Sequence, residues 1–136
     1  QESNYFPSDA GEWEVLGRGI GRNTYLRIVE VDFISSIGEN EFVLPVGFGF
    51  FCQGLSQNRS VHRFVLNFCE INLFETGILQ KLVPFLEQNE NLSDLDLYFS
   101  PVGSDGTRLL CSTLQRRTNK SLKKINLGGT NMNSND

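Results

Sequence analysis

The sequence predicts an α/β architecture in which short parallel strands alternate with helices, and three observations carry this. Four segments share one apolar spacing, each follows an asparagine at a constant distance, and the stretches between them carry helical periodicity. Aligned on the asparagines, the segments are Asn23-Thr-Tyr-Leu26-Arg-Ile-Val29-Glu-Val31, Asn58-Arg-Ser-Val61-His-Arg-Phe64-Val-Leu66, Asn89-Glu-Asn-Leu92-Ser-Asp-Leu95-Asp-Leu97 and Asn119-Lys-Ser-Leu122-Lys-Lys-Ile125-Asn-Leu127.

Counting from the first apolar anchor, positions 4 and 6 lie two apart and so form one face of a short strand, while position 1 covers its entry. Strands are therefore predicted near 26–31, 61–66, 92–97 and 122–127, paired in parallel in that order because each repeat touches only its neighbours. Leu66, Leu95 and Leu97 are expected to be fully buried. Further inward anchors stand at positions 9 and 11: Cys69 and Ile71, Ser100 and Val102, Thr130 and Met132, with the first copy departing at Ile34 and Ser36. Each asparagine is expected to turn the chain between helix and strand by adopting left-handed backbone angles or bonding its own neighbours.

Return elements follow the strands. Leu79, Leu82, Val83 and Leu86 make the i, i+3, i+4, i+7 stripe of an amphipathic helix, although Pro84 threatens a kink. Farther on, Ser104 or Asp105 can cap a helix whose inner face carries Leu110 and Leu114, with Arg116 and Arg117 favouring its C-terminal dipole. The segment from Phe42 to Leu55 holds Pro45, Gly47, Gly49 and Gly54, which predicts only a short or irregular helix lined by Phe48, Phe51 and Leu55. Ahead of the first strand, Trp13, Leu16 and Ile20 are expected to cover the open end of the core as the tail of a preceding half unit. Residues 1–12 read as a flexible arm, and 13–136 as one repeat domain of about four units. Gly128 to Asp136 supply only the start of another return segment, so further repeats or a partner are expected beyond them. By the same reasoning Ile125, Leu127 and Met132 should be more exposed than Leu95, Leu97 and Val102.

The motif Leu92-x-x-Leu95-x-Leu97-x-x-Ser100-x-Val102, with the helix and strand that follow it to Leu127, resembles the leucine-rich repeat family, and most nearly its ribonuclease-inhibitor-like subclass. That resemblance spans roughly residues 13 to 132, although the asparagines stand 35, 31 and 30 residues apart, longer than the roughly 20–29 usual for this repeat. It implies a right-handed horseshoe segment, with a concave parallel sheet of about four strands and helices on the convex side. It also implies a protein–protein interaction scaffold whose partner docks on the concave strands. The family offers alternatives: a GTPase-activating or other enzyme-regulating protein, or a fragment of a sensor receptor or ubiquitin-ligase adaptor.

On such a face the outward positions 3, 5 and 7 are Ile28, Glu30 and Asp32; Arg63, Val65 and Asn67; Asp94, Asp96 and Tyr98; Lys124, Asn126 and Gly128. The candidate binding set drawn from them is Glu30, Asp32, Arg63, Val65, Asp94, Asp96, Tyr98, Lys124 and Asn126. Mixed charge there would confer specificity on a partner, or the strands would satisfy one another through pairs such as Arg63 with Asp94 and Asp94 with Lys124. Tyr98 is the best single anchor. Phe33, Phe68 and Phe99 at position 8 form an aromatic column with two readings, a packed ridge or an exposed rim. Arg116, Arg117, Lys120, Lys123 and Lys124 make a basic cluster that reads first as solvated charge.

Other chemistries find little support. A net charge of −4 opposes phosphate-backbone binding, so no nucleic acid is expected. No apolar run of membrane-spanning length occurs, and no membrane partner is expected. Cys52, Cys69 and Cys111 form no C-x-x-C pair, which points to a reducing, cytoplasmic setting rather than disulfides or zinc. The N-x-S triplets at Asn58, Asn91 and Asn119 are the ordinary product of a repeat rich in Asn and Ser. His62, the sole histidine, fits position 2 of a strand better than a catalytic couple, and Gly17-Arg-Gly19-Ile-Gly21 has the wrong spacing for a phosphate loop. No enzyme activity, cofactor, metal or small-molecule substrate is therefore expected.

Overall fold

In the computed structural model, which describes Pro7 and residues 9–33, 43–68, 72–98, 100–116 and 121–127, helices and strands alternate among the described residues. They are α1 Ala10–Arg22, β1 Ile28–Phe33, α2 Val43–Gln57, β2 Arg63–Phe68, α3 Ile78–Gln88, β3 Asp94–Asp96, α4 Gly103–Arg116 and β4 Lys124–Asn126. The strands form one open parallel sheet in chain order, β1-β2-β3-β4, as the repeat predicts. Ile28 stands beside Arg63, Arg63 beside Asp94 and Asp94 beside Lys124, so equal repeat positions share a row. Every strand begins at repeat position 3, two residues later than the predicted spans. The entry is identical in each unit: the carbonyl of Arg27 accepts from the amides of His62 and Arg63, that of His62 from Ser93 and Asp94, and that of Ser93 from Lys123 and Lys124.

Positions 4 and 6 face the helices. Val29, Val31, Phe64, Leu66, Leu95 and Leu97 share one core with Phe48, Phe51, Leu55, Leu79, Leu82, Phe85 and Leu86. Truncating the central member, Leu95→Ala, is expected to cost about 2–5 kcal/mol through lost burial and a residual cavity. Denaturant unfolding measures it, and a loss below about 1 kcal/mol would contradict this register.

Helix α2 is continuous over 15 residues, which corrects the expectation of a short or irregular return element. Glycines of α1 and α2 let the two helices approach closely. A Cβ on Gly17 would meet the Phe51 Cα at 2.8 Å, one on Gly21 the Gly54 carbonyl oxygen at 2.7 Å, and one on Gly54 would fall inside the Gly17 carbonyl group. Tertiary packing thus overrides poor propensity. Trp13 then inserts edge-on against Phe48 and Phe51, with centroids 5.9 and 5.3 Å away. The Gly17–Gly21 segment lies inside α1, so it is a helix contact and not a phosphate loop. Helix α1 also starts at Ala10 with Asp9 as its cap, accepting from the Glu12 amide at 2.8 Å, so this part of the expected arm is ordered helix. Pro84 sits within α3 and is exposed, leaving the Gln80 carbonyl it cannot bond on the wet side. Ser104 and Asp105 fall inside the first turn of α4 rather than before it.

The asparagines turn the chain by bonding their own neighbours, as expected, and not by left-handed backbone angles. Asn23 and Asn89 have φ of −70° and −72°, which is extended backbone and not left-handed. Asn58 Oδ1 accepts from the amides of Ser60 and Val61, both at 2.7 Å, while its Nδ2 donates to the carbonyls of Ile20 at 2.6 Å and Asn23 at 3.0 Å. Asn89 repeats this one unit later, accepting from Asn91 and Leu92 and donating to Leu55 and Asn58. Each buried carboxamide closes its own turn and ties it to the preceding unit. Asn119 lies outside the described residues.

At the far end, Ile125 is 37% exposed and Leu127 half-buried, against 0% for Leu95 and Leu97, the order of exposure expected. Met132 lies outside the described residues.

Candidate binding face

The sheet face turned away from the helices collects the predicted side chains from all four strands. Glu30, Tyr98 and Lys124 are exposed, Asp32, Arg63, Val65, Asp94 and Asn126 are half-buried, and Asp96 is buried. Ile28, an outward position left out of the candidate set, is 57% exposed and extends the face along β1.

The charges at the centre satisfy one another. Arg63 Nη1 donates to Asp94 Oδ2 and Nη2 to Asp96 Oδ2, both at 2.7 Å. Asp94 is its register neighbour and Asp96 lies diagonally, two residues further along β3. The Asp94 carboxylate first, and that of Asp96 after it, hold the Arg63 guanidinium above the ordinary arginine range against the opposing effect of its partial burial. Asp96 Oδ1 accepts from the Tyr98 amide at 2.9 Å, which fixes the backbone under the ring. The Arg63–Asp94 pair is legible from repeat position, whereas the diagonal bond depends on arginine's reach across a parallel ladder.

Not all of the face is neutralised. Asp94 pairs with Arg63 and not with Lys124, and one oxygen each of Asp32 and Asp94 is buried without a hydrogen-bond partner. Four carboxylates (Glu30, Asp32, Asp94, Asp96) stand against two cations (Arg63, Lys124), so the face carries a surplus of two negative charges flanked by apolar Ile28, Val65 and Tyr98. Such a surface suits a partner that brings hydrogen-bond donors and some apolar area.

The other flagged residues fall elsewhere. His62 is exposed at a strand entry, its Nε2 3.3 Å from Arg27 Nη1. Arg116 pairs with Glu87 at 2.9 Å between α4 and α3, and Lys123 is exposed; Arg117 and Lys120 lie outside the described residues, as does Phe99, and nothing is described of the Phe33 and Phe68 side chains. Cys52 is buried among core residues, and burial pushes its thiol well above the usual range, whereas Cys111 is exposed. Iodoacetamide is therefore expected to label Cys111 in the folded chain and Cys52 only after denaturation; native labelling of Cys52, read by peptide mass spectrometry, would contradict the α2 packing. Among the described residues, no helix is long and apolar enough to cross a membrane.

The fold has a counterpart among solved structures. A chain described as "Leiomodin-1 Actin-Binding Site 2 (ABS2)" superimposes with a TM-score of 0.58 at 16% identity, over 88% of this chain and 62% of that one. At that identity the likeness is one of fold, and this chain spans 62% of the matched chain's length. No family model matches the sequence. No curated protein matches it.

Proposed function

We propose that this chain is a leucine-rich-repeat segment of the ribonuclease-inhibitor-like kind, which acts by holding another protein on its open sheet face rather than by catalysis. The observation that carries the reading is the outward face itself. Four strands in one register present alternate side chains there, and the central arginine is locked by two aspartates, so the surface is preorganised before a partner arrives. Repeat by repeat, the buried asparagine cradle, the parallel strand and the covering helix support the solenoid assignment. That the matched structure bears the name of an actin-binding site supports protein binding by this architecture and makes actin the first partner to try.

The test compares capture of purified actin, and of proteins from a cell extract, by the wild-type chain, by Val65→Glu and Tyr98→Ala on the sheet face, and by Lys81→Glu on the exposed surface of α3. Loss in the face variants alone is the expected result. Equal capture by all four chains, or loss only with Lys81→Glu, would reject the sheet face as the binding surface.

A further inference from the structure

The strand entries carry a row of cations that the sheet face does not use. Arg27, His62, Ser93 and Lys123 occupy the same place in successive units, each one residue before its strand and joined through the shared carbonyls of the ladder entry. Arg27, His62 and Lys123 are exposed, as is Arg59 in the turn leading to β2. Between helix and strand, three permanent cations (Arg27, Arg59, Lys123) thus stand against one carboxylate, Glu90, among the described residues of a chain whose net charge is −4. None of the three has an ion partner among the described residues. One residue further along β2 the situation reverses, since Arg63 is closed on Asp94 and Asp96.

Two members of the row touch: Arg27 Nη1 lies 3.3 Å from His62 Nε2. A guanidinium only donates, so Nε2 is the acceptor and the imidazole is uncharged in this contact. The Ser93 hydroxyl donates to the His62 carbonyl and not to the ring, and no carboxylate pairs with either side chain among the described residues. We infer that the Arg27–His62 pair is the docking point for a carboxylate on an acidic segment of a partner protein, with Arg59 and Lys123 attracting the acids that flank it. A carboxylate set between the two groups accepts from the guanidinium and, once His62 takes up a proton, from the imidazolium as well. Docking is therefore linked to proton uptake: the acidic segment favours the charged imidazole, and falling pH strengthens its hold. The pair joins the entries of two neighbouring strands and lies apart from the open sheet face, so this docking point stands or falls independently of the function proposed above.

Fluorescence anisotropy of a labelled hexaglutamate peptide against the full chain at low ionic strength tests this, with circular-dichroism melts checking that each variant folds. Affinity should rise roughly fivefold or more between about pH 8 and about pH 6, where histidine changes charge and glutamate does not. His62 is the only histidine in the chain, so His62→Gln should bind without that rise. Arg27→Glu should abolish binding at either pH and Arg59→Glu should weaken it, whereas Lys81→Glu on α3, an equal change of charge at another exposed position, should leave it unaltered. Should Arg27→Glu melt early, Arg27→Gln serves instead, removing the charge while keeping most of the stem. A wild-type chain that does not bind the peptide, an equal loss with Lys81→Glu, or a pH response that persists in folded His62→Gln would each overturn the inference. So would tighter binding of an oligothymidylate of matched charge, which would make the row a nucleic-acid contact.

Discussion

Gly54→Ala is expected to destabilise the fold by about 3 kcal/mol or more, although alanine is the better helix former by about 1 kcal/mol. The added methyl has no soft neighbour to displace. It would fall inside the Gly17 carbonyl group, and the reciprocal contacts of Gly21 with the Gly54 carbonyl and of Gly17 with the Phe51 backbone hold the two helices at this separation. Relief requires α1 to move off α2, which also withdraws Trp13 from Phe48 and Phe51. Gly19, in the same helix but with nothing within 4 Å of the point a Cβ would occupy, is the control: Gly19→Ala should be neutral or stabilising by up to about 1 kcal/mol. Chemical denaturation of both variants decides it, and similar stabilities would show that the glycine contact does not set the helix spacing.

Asn89→Ala is expected to be nearly as costly. The carboxamide is 1% exposed and joins two amides of its own turn to two carbonyls of the preceding unit, the latter at 3.1 and 2.8 Å. Removal leaves buried backbone groups without partners at about 1–3 kcal/mol each, some of it recovered by entering water, for a net loss of about 3 kcal/mol. Asn89→Asp should separate the two halves of the role, since it keeps the acceptor for Asn91 and Leu92 but loses the donor to Leu55 and Asn58. Urea midpoints measure both. An alanine variant within about 0.5 kcal/mol of wild type would mean that the cradle is replaceable by solvent.

Much of this arrangement is legible in the sequence because it is periodic. The alternation Leu92-x-x-Leu95-x-Leu97 sets which side chains turn inward, and the constant distance to Asn89 sets where the turn lies. Helix α3 declares itself through Leu79, Leu82 and Leu86. What is not legible depends on partners distant in the chain. Helix α2 reads poorly alone, since four of its residues are Gly or Pro in Pro45, Gly47, Gly49 and Gly54, and only the packed partners explain two of them: Trp13 lies against Gly47, and the α1 backbone at Gly17 against Gly54. The backbone of Asn89 departs from the left-handed expectation for a related reason: a local preference for such angles says nothing of the Leu55 and Asn58 carbonyls waiting one unit earlier. On the sheet face, residue types and register are readable, while the lock of Arg63 on both aspartates requires the strand twist and spacing that only the fold supplies.

The register has a consequence for how the chain acquires its shape. Neighbouring strands join residues 35, 31 and 30 apart, from Ile28 to Arg63, to Asp94, to Lys124. No pairing must wait for distant chain ends to meet, so each closure costs about the same modest loop entropy, which rises only slowly with length. Acquisition of structure can therefore advance like a zipper, one unit templating the next. During synthesis β1 and α2 must wait only for β2 to emerge, and from then on every newly made strand finds an edge already waiting for it.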